Sequence, residues 1–358
     1  MRFSALALVL FAVAAVEATA AAPQWMMEAE IRGRKIEGAP LSWSDDEVHL
    51  LARDGYLWQF RPDEARNFRK TAGNFRSYSA GQLRAALEGE LGGKLETTGT
   101  GHYLVAHPPG QGGVWAERFE NLYRSFAHDF AVRGLSIKEP QFPLVAIVWG
   151  RHEDFVRHSM LEGFRPSSGV LGYYSPQSNR VNLFDSSGGG KGEDWKQNAA
   201  TIIHEATHQT AFNTGVHSRF ALPPRWLAEG LGTLYEAPGI WDARSYPNQS
   251  QRINRGRFDQ FNQMVRSGRP AGLFVELISS DDLFASNPGA AYAEAWALTF
   301  YLSETEPRKY CQYLAKTAAR PAFADYSRAQ RLADFTAVFG NGLRMLDANL
   351  LRFIGGLK

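Results

Sequence analysis

Three features of the sequence predict an α+β fold. Apolar and polar residues alternate near the N-terminus, short apolar runs interleave with helical periodicity in the middle, and helical periodicity dominates after residue 240. They divide the chain into a small β-rich module over 23–95, a mixed-sheet subdomain over 96–239 and a mostly helical subdomain over 240–358. The 358 residues suffice for two or three cores. Hydrophobic residues make up 44%, charged residues 21%, and the net charge is +2, the composition of an ordinary globular chain. No basic patch or charge block points to nucleic acid or to a membrane surface.

Residues 1–22 read as a cleaved export signal. Arg2 precedes an apolar run from Phe3 to Val16, and Ala18-Thr19-Ala20 has the small-x-small form of a processing site, with cleavage near Ala20 or Ala22. The run is short for a membrane span, so the expectation is an exported protein, periplasmic or extracellular, without stable membrane insertion. Cys311 is the only cysteine, which rules out an intrachain disulfide. No partner for a reactive thiol stands near it, and it is expected in the core.

In the first module, Ile31 to Leu41 and Val48 to Phe60 alternate as strands, with Asp54-Gly55 as a hairpin turn, and Ala80 to Leu91 follows as a helix. The module carries no clustered ligands or nucleophiles and reads as a binding or packing appendage. Further on, His102 to Ala106 and Pro143 to Trp149 read as strands, the second apolar throughout as a central strand is. Val114 to Val132 and His152 to Leu161 read as helices. The first of these carries a core stripe of Trp115, Phe119, Leu122, Tyr123, Phe126 and Phe130. Gly169 to Tyr174 and Arg180 to Phe184 form a hairpin around Ser175 to Asn179. Its edge could take up an extended peptide as an added strand. The stretch Ser186 to Gly192 lacks the order of a phosphate-binding loop and reads as a surface loop.

The candidate site begins in the next helix, expected from about Trp195 to Phe212–Gly215. His204-Glu205-Ala206-Thr207-His208 is an H-E-x-x-H motif, and histidines four apart on a helix share a face, so both imidazoles can bind one zinc ion. Glu205 lies beside that position, placed to take a proton from water acidified by the metal and pass it to a leaving amine. A catalytic zinc takes three protein ligands and keeps one position open. The extended pattern with a third histidine fails, because Ala211 and Thr214 occupy its glycine and histidine positions. Glu229, in the helical run Pro223 to Glu236, is the third-ligand candidate: it is a charge among small and apolar neighbours, with twenty residues between it and His208. Glu236 reads as part of a solvated helix face.

His204 to His208 followed by Trp226-Leu227-Ala228-Glu229-Gly230 resembles the gluzincin branch of zinc metallopeptidases, thermolysin-like in active-site plan. More narrowly, it is similar to the peptidase-MA-like group of bacterial proteins, and Tyr292 to Leu302 is like the helix that follows the zinc ligands there. The resemblance covers roughly 169–313. It implies a zincin-type mixed sheet, one Zn2+ ion bound by His204, His208 and Glu229, and peptide-bond hydrolysis with Glu205 as general base. Tyr292 is the candidate for stabilising the oxyanion, by its position in the family-like helix; Tyr173, Tyr174, His217 and Arg225 are alternatives.

After residue 240 helices are expected over Gln251 to Val265, Ala291 to Ser303, Pro307 to Ala318 and Gln330 to Ile354, the last interrupted near Gly340 to Gly342. They should pack below the zinc helix and wall a cleft. Arg252, Arg255, Arg257 and Arg266 read as a solvated basic face. The leading expectation is therefore an exported zinc metallopeptidase acting on a peptide or protein, bound along the Gly169 to Tyr174 strand. Two competing readings are a non-catalytic cell-envelope scaffold that keeps the fold, and a zinc hydrolase of non-peptide amides or esters. An intact Glu205 argues against the scaffold, since a structural zinc site closes its fourth position and needs no base.

Overall fold

The computed structural model describes residues 25–167, 169–186 and 193–357. The expected export signal and most of the glycine-rich stretch, Ser187 to Gly192, lie outside the described residues.

Two five-stranded sheets come first and helices follow, a mixed α+β architecture. The first sheet contains β1 (Met26–Ile31), β2 (Arg34–Trp43), β3 (Val48–Ala52), β4 (Leu57–Phe60) and β5 (Ala65–Ala72), antiparallel in the order β4-β3-β2-β1-β5. The run Ile31 to Leu41 is not one strand. Arg32 and Gly33 both take left-handed backbone, at φ 48° and 74°, and turn the chain between β1 and β2 in two residues. Arginine gives little warning of such a turn, which Asn-Gly or Asp-Gly would have announced. β5 was also unexpected: it is an edge strand whose residues 66–70 are all exposed, so it shows no alternation. The Asp54-Gly55 turn is present, with Gly55 at φ 89°.

Next comes α1 (Ala80–Leu91). The Ser79 hydroxyl accepts the Gln82 N–H, and the Gln82 side chain accepts the Ser79 N–H at 3.0 Å. The second sheet contains β6 (Glu96–Gly99), β7 (Tyr103–His107), β8 (Leu144–Trp149), β9 (Gly172–Ser175) and β10 (Arg180–Phe184), in the order β6-β7-β8-β10-β9. β8 runs parallel to β7 and β10 and is buried along its whole length, which explains its uninterrupted apolar sequence. The outer strands β6 and β9 are antiparallel to their neighbours. β9 is shorter than the expected Gly169 to Tyr174, with Gly169 in left-handed backbone at φ 92° before it.

Helix α2 (Gly112–Val132) lays Trp115, Phe119, Tyr123, Phe126 and Phe130 on one face of this sheet, where each buried side chain contributes about 1.5–3 kcal/mol. α1 and α3 (His152–Leu161) cover the other face through Leu83, Leu87 and Phe155. α4 (Glu193–Asn213) joins α2 through Ile202, Ile203 and Ala206.

The remaining helices are α5 (Arg225–Tyr235), α6 (Pro238–Trp241), α7 (Arg255–Arg266), α8 (Leu273–Ser279), α9 (Asp282–Ser286), α10 (Pro288–Thr305), α11 (Pro307–Ala318), α12 (Arg328–Phe339) and α13 (Leu343–Gly355). α7 begins at Arg255, not Gln251, because the Asn254 side chain caps it by accepting the Arg257 N–H. α10 is buried almost all round and is the axis of this region. It packs chiefly on α5 and α7, so α5 lies at the junction between the helical region and α4. Cys311 is buried, as expected. Two of the basic residues are engaged: Arg252 pairs with Glu304 at 2.6 Å, and the Arg257 guanidinium lies 4.9 Å from the Tyr292 ring centre.

Candidate metal centre

His204 and His208 lie one turn apart on α4, their rings perpendicular and 4.6 Å between centres. Their Nε2 atoms are 2.9 Å apart, and Glu229 Oε2 on α5 is 3.2 Å from the first and 3.6 Å from the second. These three residues, two from one turn of α4 and one from α5, could together hold a metal ion. A tetrahedral ion with bonds of about 2.0–2.1 Å sets its ligand atoms about 3.3–3.4 Å apart, and the three separations bracket that value. The donor chemistry agrees, since two imidazole nitrogens and a carboxylate oxygen all offer lone pairs to the same point.

Charge is distributed as such a point requires. Burial works against a charged His204, but Glu229 and Glu236 outweigh it and hold the imidazole well above its ordinary range. Burial works against the Glu229 carboxylate too, and the two histidines reverse it, lowering its pKa well below the usual value. Without an ion, a proton on His204 occupies the role of the cation.

The glycines of α5 explain how Glu229 reaches this point. A Cβ at Gly232 would come within 2.7 Å of His204 Cε1, so only glycine admits the imidazole against the helix. A Cβ at Gly230 would meet Ala295 carbonyl oxygen at 2.7 Å and collide with Thr299, so glycine here lets α5 close on α10. The start of α5 is anchored from outside: Arg225 N–H donates to Asp281 Oδ1 at 2.9 Å, and Arg331 grips both oxygens of Asp281 at 2.7 and 2.9 Å.

Glu205 Oε2 accepts the backbone N–H of Tyr174 at 2.7 Å, which ties the carboxylate to the sheet edge at β9. The turn after β9 is fastened to α4 by paired side-chain bonds between Asn179 and Asn213, at 2.8 and 2.7 Å, and by Gln209 donating to the Asn179 carbonyl at 2.9 Å. Asn179 takes φ 60°, a conformation asparagine tolerates better than most residues.

Of the oxyanion candidates, Tyr292 is half-buried, and its hydroxyl interacts with Glu229 and Arg225. Burial and the Glu229 charge push its pKa up to about 12. Arg225 Nε lies 3.4 Å from Glu229 Oε1, at the rim of the site. Tyr173 points away, with its hydroxyl donating to Glu162 at 2.9 Å. The Tyr174 hydroxyl donates to Asn179 at 2.9 Å. His217 is buried at 1% exposure, and neither ring nitrogen has a hydrogen-bond partner among the described residues.

Glu236 corrects the sequence reading. It is not on a solvated face: its Oε1 accepts from His204 Nδ1 at 2.9 Å and its Oε2 accepts from Asn254 Nδ2 at 2.7 Å. Asn254 also donates to the Thr233 carbonyl at 2.9 Å. With Nδ1 committed to donating, His204 presents the lone pair of Nε2 to the point shared with His208 and Glu229.

A family model described as a protein of unknown function, DUF1570, matches residues 198–324. The matched stretch contains His204, Glu205, His208, Glu229, Glu236 and Tyr292 and leaves out both sheets. No curated protein matches the chain.

Proposed function

We propose that this chain is an exported zinc-dependent metallopeptidase of the gluzincin type, within the peptidase-MA-like group that its motifs resemble. The observation that carries the reading is the company Glu205 keeps. It shares α4 with two of three converging metal donors, and one of its oxygens is held by the backbone of a sheet edge.

His204, His208 and Glu229 would hold the ion. When bound, zinc supplies Lewis acidity toward a carbonyl oxygen and makes water acidic near neutral pH. Glu205 handles protons: with Oε2 engaged by Tyr174 N–H, Oε1 is left to accept a proton from water and return it to the leaving amine nitrogen. Tyr292 and Arg225, both beside Glu229, are the donors for the oxyanion. A phenol whose pKa is raised to about 12 stays protonated at physiological pH and so can donate. The β9 edge would take the extended peptide as a further strand, through main-chain groups other than the Tyr174 N–H. Export rests on the pattern from Arg2 to Ala20, and no helix among the described residues is long and apolar enough to cross a membrane.

The test is metal analysis of the purified mature chain together with cleavage of casein and a peptide library. Glu205→Gln should keep the ion and lose about 10²–10⁴-fold in rate. A protein that binds no zinc, or a variant as active as the parent, overturns the reading.

A further inference from the structure

Beside the three donors lies a cleft of about 790 Å³ whose far wall comes from segments remote in sequence. Leu57 and His49 belong to the N-terminal sheet, Phe212 to α4, Phe220 to the loop before α5, and Phe323 to the loop between α11 and α12. These segments are fastened together. Leu57 N–H donates to the Gln177 carbonyl at 2.8 Å, in the turn between β9 and β10. The buried Arg219 donates to the Gly55 carbonyl at 2.8 Å and, through Nε, to the Pro176 carbonyl at 2.9 Å.

Phe323 is held in a conformation that a phenylalanine rarely adopts. Its φ is 60°, its N–H donates to the Phe220 carbonyl at 2.6 Å, and its ring stacks on His49 with centres 3.8 Å apart. That backbone brings the ring between the N-terminal sheet and the loop before α5, on the cleft wall. Much of the charge along this wall is already engaged. Arg219 and Arg320 serve carbonyl groups, and Arg331 serves Asp281. What the wall still offers a ligand is largely apolar and aromatic surface.

Resting on the peptidase reading, we infer that this wall is a side-chain subsite that takes a large apolar or aromatic residue of the peptide close to the cleaved bond. The N-terminal sheet is then part of the specificity machinery, not an appendage. An apolar side chain entering the cleft exchanges water for Leu57, Phe212, Phe220 and Phe323, while the polar groups behind them lose no partner.

The experiment compares kcat/KM for matched peptides carrying Phe or Ala at each position flanking the cleaved bond. The parent should prefer Phe by about tenfold or more at one position. Leu57→Trp narrows the subsite, and Phe323→Gly opens it with a residue that accepts the backbone at φ 60°. Both should lower the Phe-to-Ala ratio by about tenfold, with thermal melts reporting on the fold. A binding arm uses zinc-loaded Glu205→Gln, which should hold the Phe peptide more tightly than the Ala peptide without cleaving either. A Phe-to-Ala ratio unchanged in both variants, or equal binding of the two peptides, overturns the subsite. A parent that shows the binding preference yet cleaves nothing overturns the peptidase reading and leaves the subsite standing.

Discussion

Two of the molecule's clusters of ionisable side chains differ in whether the charges satisfy one another. In the helical region Glu294 of α10 is fully buried, and both its oxygens accept from Arg269, one of them at 2.9 Å; the same guanidinium reaches Asp347 Oδ2 at 3.2 Å. That cluster is closed, each charge facing its opposite. At the candidate centre His204, His208 and Glu229 instead aim lone pairs at one point, and Glu236 commits the far nitrogen of His204 so that the near one stays available. Burial and a shifted pKa are common to both clusters. What separates a site from a strut is the convergence on one point of groups able to offer lone pairs to a single ion.

The largest effect expected from breaking this contrast is on the closed cluster. Arg269→Ala leaves Glu294 buried without a partner and should destabilise the fold by about 3–5 kcal/mol in denaturant titration. Zinc affinity, measured on the folded variant, should change little. A variant that loses metal and stability together would show that the two clusters are one coupled network.

His217 sharpens the contrast from the other side, because it is buried near His208 with neither ring nitrogen hydrogen-bonded among the described residues. Burial, with some contribution from the nearby His208, drives its pKa down to about 3, so the folded state keeps it neutral. The unfolded imidazole titrates near 6.5, which means the unfolded chain binds the extra proton between those values and stability falls as the pH falls through that window. The loss reaches on the order of 3 kcal/mol by about pH 4. His217→Phe in the metal-free protein should remove most of that acid sensitivity while leaving stability near pH 7 close to the parent's. Denaturation curves of both proteins over a range of pH make the comparison, and an equally acid-sensitive variant would place the titrating group elsewhere.

Much of this centre was legible in the sequence because its parts are local. The four-residue spacing of His204 and His208 is a property of any helix, and Glu229 was conspicuous as a charge in an apolar run. The central strand β8 and the stripe of α2 declared themselves through burial, which acts on residue type directly. The misses depended on contacts between distant segments or on weak turn chemistry. Exposed edges such as β5 carry no apolar alternation, and Arg32-Gly33 is a poor advertisement for a tight hairpin. A signal was nonetheless available in Glu229-Gly230-Leu231-Gly232. Two glycines inside a helix each cost roughly 1 kcal/mol of helix propensity, and here they admit α10 on one side and His204 on the other.

Glu236 was the hardest to see, since at the end of α5 it looked like any solvated glutamate, and the smallest of the expected effects belongs to it. Its two oxygens are divided between His204 Nδ1 and Asn254 Nδ2, so its work is to fix the tautomer and plane of an imidazole it supports from behind. Glu236→Gln keeps the shape, and its amide oxygen can still accept from His204, but the negative charge that strengthens the imidazole as a donor of electrons is gone. Zinc affinity should fall about 10–100-fold in competition with a chelator, while apoprotein stability changes far less than in Arg269→Ala. Because Glu236 is one of the groups that raise the His204 pKa, the variant should also release fewer protons on binding zinc near neutral pH, which calorimetry in buffers of different ionisation enthalpy reads directly. Unchanged affinity with unchanged proton release would mean that packing against Gly232 alone orients His204.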